Sequence, residues 1–240
     1  MTVVQPNCRL QFTANDLAFI LKVLGTKAGS QEALLRLLAD EESRDLILDQ
    51  EALLRAVLEA DGCLPISPQF YFYILVRHVF RQWGIEDRRV ADYVAEMLAE
   101  FSQIERIRCR LPGGSAPAEY VFEMLAALPD ADDTTRFYIR AHVGNYSLFL
   151  SGVYPDRIRF QAQRRGGPDL PYYEAVGRMS YRAASGHRLA RQYELEAIFD
   201  TLSERFHQTR RALNDLSERL LSLGDTEPTL EAFLRRTLAS

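Results

Sequence analysis

The chain has 240 residues and a formal net charge of −4, and 47% of its residues are hydrophobic. This apolar content is ample for a packed core and excludes an intrinsically disordered protein. The 29 basic residues do not outnumber the 33 acidic ones, as they do on phosphate-binding surfaces. Nucleic acid is therefore disfavoured as a partner.

The three cysteines, Cys8, Cys63 and Cys109, have no C-x-x-C spacing and indicate reduced thiols rather than a disulfide framework or a zinc site. Residues 1–6 lack the basic and apolar regions of a secretory signal. The longest apolar run, residues 70–76, is much shorter than the roughly 20 residues that cross a bilayer. We therefore expect a cytoplasmic protein with no membrane partner.

Capping residues predict where the first helices begin. Thr13, followed by Asp16 three residues later, predicts a helix that ends at Gly25. Ser30 and Asp49 predict the starts of two more helices.

The strongest start signal is Ser67-Pro68, a capping serine followed by a proline at the first helical position. The residues from there to Trp83 are apolar on nearly every face, so we expect this helix at the centre of the fold. A buried strand over residues 70–76 is the alternative, because aromatic and β-branched residues suit strands.

The middle of the chain combines a helix with a less regular segment. Asp87 begins a helix whose apolar residues continue to Phe101, whereas residues 104–111 alternate arginine with apolar residues, which is typical of a strand or a short β-hairpin. The Pro-Gly-Gly-Ser segment at 112–115 marks an internal boundary. It separates an N-terminal helical part, residues 1–111, from a C-terminal helical part, residues 112–240, within one compact domain.

The second half is again predicted to be helical. A short helix near Tyr120 is followed by one from Phe137 to about Gly152, and Pro171 starts another. The polar residues 156–171 are predicted to form the longest loop. A last short helix is predicted over residues 225–238, with Leu230, Phe233, Leu234 and Leu238 on one face.

Large apolar residues near the end of the chain recur at spacings of four and three: Leu195, Phe199, Leu202, Phe206, Leu213, Leu216, Leu220 and Leu223. This spacing predicts one long helix, residues 187–223, of roughly 55 Å at 1.5 Å per residue. The bulky phenylalanines favour packing inside a bundle, and a coiled-coil homodimer is the alternative. The predicted class is an all-α, multi-helix bundle.

Residues 140–152, Arg-Ala-His-Val-Gly-Asn-Tyr-Ser-Leu-Phe-Leu-Ser-Gly, are followed by Pro155 and then by Tyr172-Tyr173-Glu174 with Gly177 and Tyr181. This HxGxxxLFLSG…P…YYExxGxxxY pattern resembles an uncharacterised bacterial protein family of unknown function, over roughly residues 67–220. The resemblance implies a cytoplasmic helical protein and supplies no catalytic residue.

The same segments contain the candidate ligand site. Arg140, His142 and Asn145 lie within two helical turns on an otherwise apolar helix, and polar groups that converge inside a bundle are typical of ligand sites. Four residues of the later segment complete the predicted pocket: Tyr172, Tyr173, Glu174 and Tyr181. The alternative is a structural network in which Glu174 pairs with Arg140.

No catalytic constellation, metal site or cofactor motif is evident. Glu204 and His207 have the spacing of a di-iron ligand pair, but only once. A winged-helix DNA-binding regulator is a further alternative, with residues 87–101 as the recognition helix and residues 106–111 as the start of a wing. The sequence favours a non-enzymatic protein-interaction or self-assembling module, with a small-ligand or metal-dependent enzyme at Arg140, His142 and Tyr173 as the second hypothesis.

Overall fold

The computed structural model of the protein describes residues 2–25, 28–59, 64–103, 107, 109, 118 and 120–223. Regular structure in these residues is helical, so the predicted all-α, multi-helix bundle is confirmed. An antiparallel bridge joins Cys109 to Ala118 at the end of the predicted strand-like segment. Most of that segment, the boundary at 112–115 and the predicted helix at 225–238 lie outside the described residues.

The helices before the bridge follow a 3₁₀ turn at Cys8–Gln11. They are α1 (Ala14–Leu24), α2 (Ala28–Ala39), α3 (Glu41–Leu48), α4 (Glu51–Leu58), α5 (Pro68–Gln82) and α6 (Arg88–Phe101). The helices after it are α7 (Val121–Ala126), α8 (Asp133–Val153), α9 (Pro155–Arg165), α10 (Leu170–Ser185), α11 (Arg188–Gln192), α12 (Glu196–Glu204) and α13 (Phe206–Leu223).

The predicted start of α1 is confirmed, and its cap also holds a second helix. Thr13 and Asp16 form a reciprocal capping box, in which each side chain accepts the other residue's backbone N–H. Asp16 is fully buried and also accepts the backbone N–H and the hydroxyl of Ser67, both over 2.7 Å. One carboxylate therefore fixes the starts of α1 and α5 relative to each other.

Helices α5 and α6 form the centre of the bundle. Five residues of α5 have no exposed surface: Phe70, Tyr73, Ile74, Val76 and Phe80. On α6, every residue from Val90 to Ala99 is buried. The central helix is confirmed, and a strand over residues 70–76 is excluded.

Glycines allow the helices of the second half to pack closely. A β-carbon on Gly144 of α8 would lie 2.8 Å from Cδ1 of Tyr181 on α10. A β-carbon on Gly152 of α8 would lie 2.9 Å from Cβ of Leu213 on α13. These separations are too short for real β-carbons, so the glycines are required by packing.

The predicted continuous helix over residues 187–223 is wrong. The chain leaves α11 through a Schellman motif, in which Leu195 donates to the carbonyl of Ala190 over 2.7 Å and Glu194 to that of Arg191 over 3.1 Å. Glu194 has a φ of 56°, which no α-helix accommodates. A milder break at Arg205 separates α12 from α13.

The burial predicted by the apolar spacing is nevertheless correct. Leu195, Phe199, Leu202 and Phe206 have no exposed surface, and Leu213 and Leu216 are also buried. Spacing indicates which side chains face the core, and two successive helices separated by a turn can satisfy it as well as one.

Three further boundaries differ from the sequence predictions. Residues 156–165 belong to α9 rather than to a loop; this helix buries only Ile158 and so lacks a periodic apolar face. Helix α2 begins at Ala28 rather than after Ser30. Asp49 ends the unpredicted α3 instead of capping α4, because its carboxylate binds arginines of α5 and α6.

Candidate functional site

Arg140 and His142, two of the predicted site residues, lie near the middle of α8. His142 donates from Nε2 to the carbonyl of Ile107 over 2.9 Å, and its burial lowers the pKa of the imidazole to about 4. Arg140 is half-buried, and burial lowers the pKa of its guanidinium. No described carboxylate forms an ion pair with Arg140.

Asn145 instead belongs to a buried hydrogen-bond triad. Its Oδ1 accepts the hydroxyls of Tyr93 over 2.9 Å and of Tyr181 over 2.8 Å. Burial raises the pKa of both phenols, so both stay protonated donors. The triad joins α6, α8 and α10. Asn145 and Tyr181 therefore satisfy each other's hydrogen bonds inside the core.

The predicted pairing of Glu174 with Arg140 is wrong. The Glu174 carboxylate accepts Nε of Arg210 and lies 3.1 Å from Nδ1 of His207, both on α13. Arg210 in turn donates to Oδ1 of Asn214 over 2.6 Å. The Asn214 amide caps two carbonyls at the end of α8, those of Ser151 and Gly152. The sequence pointed to Arg140 alone, and the helix arrangement brings Arg210 to Glu174 instead.

Tyr172 and Tyr173 pack edge to face with ring centroids 5.5 Å apart. Both rings lie against a second, smaller apolar cluster that includes Val143 and Val176. The seven predicted ligand-binding residues are thus brought to α8 and α10, where the contacts of His142, Asn145, Glu174 and the two tyrosines are separate from one another.

An ionic network that sequence reasoning missed lies in the N-terminal half. Arg77, with a side chain only 3% exposed, donates to both oxygens of Asp49 over 2.9 and 3.1 Å. Arg88 also binds Asp49 over 2.9 Å. Arg9 pairs with Asp45 over 2.6 Å and approaches Asp92 at 3.4 Å. The available signal was an arginine inside the otherwise apolar α5, since a buried cation needs a carboxylate partner.

A polar cavity of about 270 Å³ lies beside this network, between the N-terminal segment and helices α5 and α6. We call it the N-terminal cavity. Five of its lining residues carry carboxamides, two carry carboxylates, and none of the described lining residues is basic. The lining residues are Val3, Gln5, Asn7, Gln11, Gln69, Glu96, Ala99, Glu100 and Gln103.

Glu96 is the unusual member of this lining. It is only 5% exposed, and its Oε2 accepts no hydrogen bond from any described residue. Burying a carboxylate oxygen without a hydrogen bond is costly, so native proteins rarely do it without a compensating group. Arg9, a nearby cation, is already engaged by Asp45 and Asp92.

The surroundings of Glu96 are electronegative. Burial raises the pKa of Asp92, one helical turn before Glu96, and the Glu96 charge raises it further. Burial also raises the pKa of the Cys8 thiol, and the charges of Asp92 and Glu96 and a hydrogen bond between the thiol and Glu96 raise it further. Such perturbed titratable groups beside a cavity are typical of functional sites.

No protein-family model, curated protein or solved structure matches the chain. Within the described residues, no helix has the length and apolarity needed to traverse a bilayer, and no group of three or more His, Cys, Asp or Glu side chains is placed to hold a metal ion. Glu204 and His207, which have the spacing of a di-iron ligand pair in the sequence, lie on different helices, α12 and α13.

Proposed function

We propose that the protein binds a small organic cation, a diamine in particular, in the N-terminal cavity. The observation that carries this proposal is the buried Glu96 carboxylate, one oxygen of which has no hydrogen-bond partner among the described residues. A cationic ligand supplies both the missing donor and the missing positive charge.

The spacing of the two carboxylates supports a ligand with two amino groups. Glu96 and Glu100 are one turn apart on α6, which places their β-carbons about 5–6 Å from each other. A four-carbon diamine carries its ammonium groups a similar distance apart. The surrounding carboxamide oxygens accept the remaining N–H groups, and the cavity is far larger than a bare metal ion requires.

Isothermal titration calorimetry with 1,4-diaminobutane tests the proposal, with 1,4-butanediol as the uncharged control of equal length. We expect binding of the diamine only, and a loss of at least about 10-fold in affinity for Glu96→Gln. Glu204→Gln, an exposed carboxylate of α12, is the matched control and leaves binding unchanged. Absence of diamine binding, or equal affinity in Glu96→Gln, overturns the proposal.

Stability separates a ligand-binding Glu96 from a structural one. Replacing a structural carboxylate lowers the free energy of unfolding. Glu96→Gln instead removes a buried carboxylate whose Oε2 has no described hydrogen-bond partner. We therefore expect the urea midpoint of Glu96→Gln, without ligand, to equal or exceed that of the wild type.

The interaction module predicted from the sequence is the second candidate, in the form of a homodimer. Leu35 and Leu37 of α2 and Leu46 of α3 are 46%, 48% and 63% exposed, and exposed apolar side chains of this size favour an interface. Light scattering on Leu37→Gln and the wild type tests it: a dimer lost in the variant supports self-assembly, and a wild-type monomer at all concentrations contradicts it.

The other hypotheses receive less support. An enzyme site at Arg140, His142 and Tyr173 requires these side chains to meet at one point. His142 instead binds the carbonyl of Ile107, and Tyr173 packs against an apolar cluster. A recognition helix requires an exposed face, and α6 is buried from Val90 to Ala99. The family resemblance and the cytoplasmic location stay predictions.

A further inference from the structure

The proposed ligand contact inside the N-terminal cavity is shielded. Oε2 of Glu96 is buried, and an ammonium group must approach it to about 2.7–2.9 Å to bind. Part of the cavity wall therefore has to move before a ligand can enter. Gln69 and Glu96 come from α5 and α6, the central helices of the bundle, whereas Val3, Gln5 and Asn7 belong to no helix. The movable wall is therefore the one that these last three residues form.

Residues 2–7, which we call the cover segment, are weakly attached to the rest of the fold. Their hydrogen bonds with described residues all stay within residues 3–11; the Gln5 amide, for example, donates to the carbonyl of Val3 over 3.4 Å. Val4 is the one buried side chain of the segment, at 4% exposure, and Val3 packs against the same core. Detaching the segment therefore exposes little more than one valine side chain, a small part of the apolar burial that stabilises the domain.

The chain is firmly held immediately after the cover segment. Cys8 is fully buried, and its thiol lies 3.2 Å from the carbonyl oxygen of Gln69. The backbone N–H of Arg9 donates to Asp92 over 2.9 Å, and the guanidinium of the same residue pairs with Asp45 over 2.6 Å. Weak attachment before Cys8 and tight attachment from Cys8 onward place a hinge at this boundary.

We propose that the cover segment is a gate for the N-terminal cavity, which opens about this hinge to admit the cationic ligand and closes over it. This proposal rests on the proposed function and adds how the ligand reaches Glu96. In the closed position the Gln5 nitrogen donates to Val3, so the carboxamide oxygen of Gln5 has no described hydrogen-bond partner and is an acceptor for a ligand N–H. The bound ligand holds the segment closed, and opening of the segment then limits the rate of ligand release.

Hydrogen exchange followed by mass spectrometry, with and without saturating 1,4-diaminobutane, tests the gate in the full chain. In the free protein we expect the amides of residues 3–5 to exchange close to the rate of an unfolded chain, because none of them donates to a described acceptor. Amides in the middle of α5 exchange far more slowly. The diamine is expected to slow the exchange of residues 3–5 at least about 10-fold and to leave α12 unchanged.

The outcomes separate the gate from the ligand site. Calorimetric binding of the diamine without slower exchange in the cover segment overturns the gate and leaves the proposed function supported. A cover segment that is as protected in the free protein as α5 also overturns the gate. No calorimetric binding of the diamine overturns both proposals.

Val4→Ala gives a second measurement, since it weakens the apolar contact that holds the cover segment closed. We expect the dissociation rate of 1,4-diaminobutane, measured from its ¹H NMR line widths, to rise at least about 3-fold. Val57→Ala is the matched control. Val57 of α4 is 5% exposed and lies outside the cavity lining, so its replacement removes the same atoms and leaves the rate unchanged. Equal rates for Val4→Ala and the wild type, or equal increases in both variants, overturn the gate.

Discussion

Tyr181 of α10 donates its buried hydroxyl to Oδ1 of Asn145 on α8 over 2.8 Å, and Tyr93 of α6 donates to the same oxygen. One acceptor therefore satisfies two buried donors. Asn145→Leu leaves both hydroxyls without this acceptor, and we expect a loss of about 2–4 kcal/mol in the free energy of unfolding. Urea denaturation measures it, with Tyr181→Phe as the milder comparison at about 1 kcal/mol. Equal losses for the two variants contradict the shared-acceptor arrangement.

Gly177 of α10 faces the ring of Phe206 and the β-carbon of Ser147, and a β-carbon at residue 177 would lie 3.0 Å from the latter. Gly177→Ala is expected to cost about 1–3 kcal/mol, because the buried Phe206 ring must move. Gly186→Ala is the matched control. A β-carbon at residue 186 would meet no described atom within 4 Å outside its chain neighbours, and the φ of −71° suits alanine. We expect Gly186→Ala to be neutral or slightly stabilising. Thermal unfolding of both variants checks the contrast.

Arg210 and Arg140 are expected to respond in opposite ways to replacement by methionine. Arg210→Met removes the guanidinium that pairs with Glu174, which then keeps its contact with the exposed His207, and breaks the connection to Asn214, at a cost of about 3 kcal/mol. Arg140→Met removes a desolvated cation that has no described ion-pair partner, so its free energy of unfolding stays equal or rises. Chemical denaturation measures the free energy of unfolding of both variants. A large decrease for Arg140→Met and none for Arg210→Met would instead support the pairing of Glu174 with Arg140 that the sequence predicted.

His142 makes stability depend on pH. Its pKa falls from the ordinary 6.5 to about 4 on folding, so the unfolded chain binds a proton first as the pH falls. The stability that the neutral imidazole contributes is present above pH 6.5 and is lost between pH 6.5 and pH 4. At pH 5 the loss is about 2 kcal/mol. Unfolding free energies of the wild type and His142→Gln at pH 7 and pH 5 test this, and we expect a smaller decrease in the variant.

Local signals in the sequence predicted many helix starts correctly. Thr13, Ser67 and Asp87 cap helices as expected, because a capping hydrogen bond involves only residues within three positions. The central position of α5 was also predictable, since a helix that is apolar on every face needs neighbours on several sides. These features depend on short stretches of sequence alone.

Helix continuity could not be predicted in the same way. The apolar spacing from Leu195 to Leu216 correctly identified core side chains, but it contains no information about a turn at Glu194. The carbonyl of Glu194 accepts Nη2 of Arg89 over 3.0 Å, a contact between residues far apart in the chain. Tertiary contacts of this kind support a backbone conformation that local propensity disfavours.

The candidate site likewise combines features that depend on local sequence with features that depend on tertiary contacts. The all-α class, the buried faces and the segments rich in polar residues follow from local sequence, because periodicity and capping act over a few residues. The pairing of Glu174 with Arg210 rather than Arg140, and the position of Glu96 in a cavity lined partly by the N-terminal segment, depend on contacts between distant parts of the chain. Charge partners and cavity walls come from different helices, and the relative placement of helices depends on the packing of the whole core.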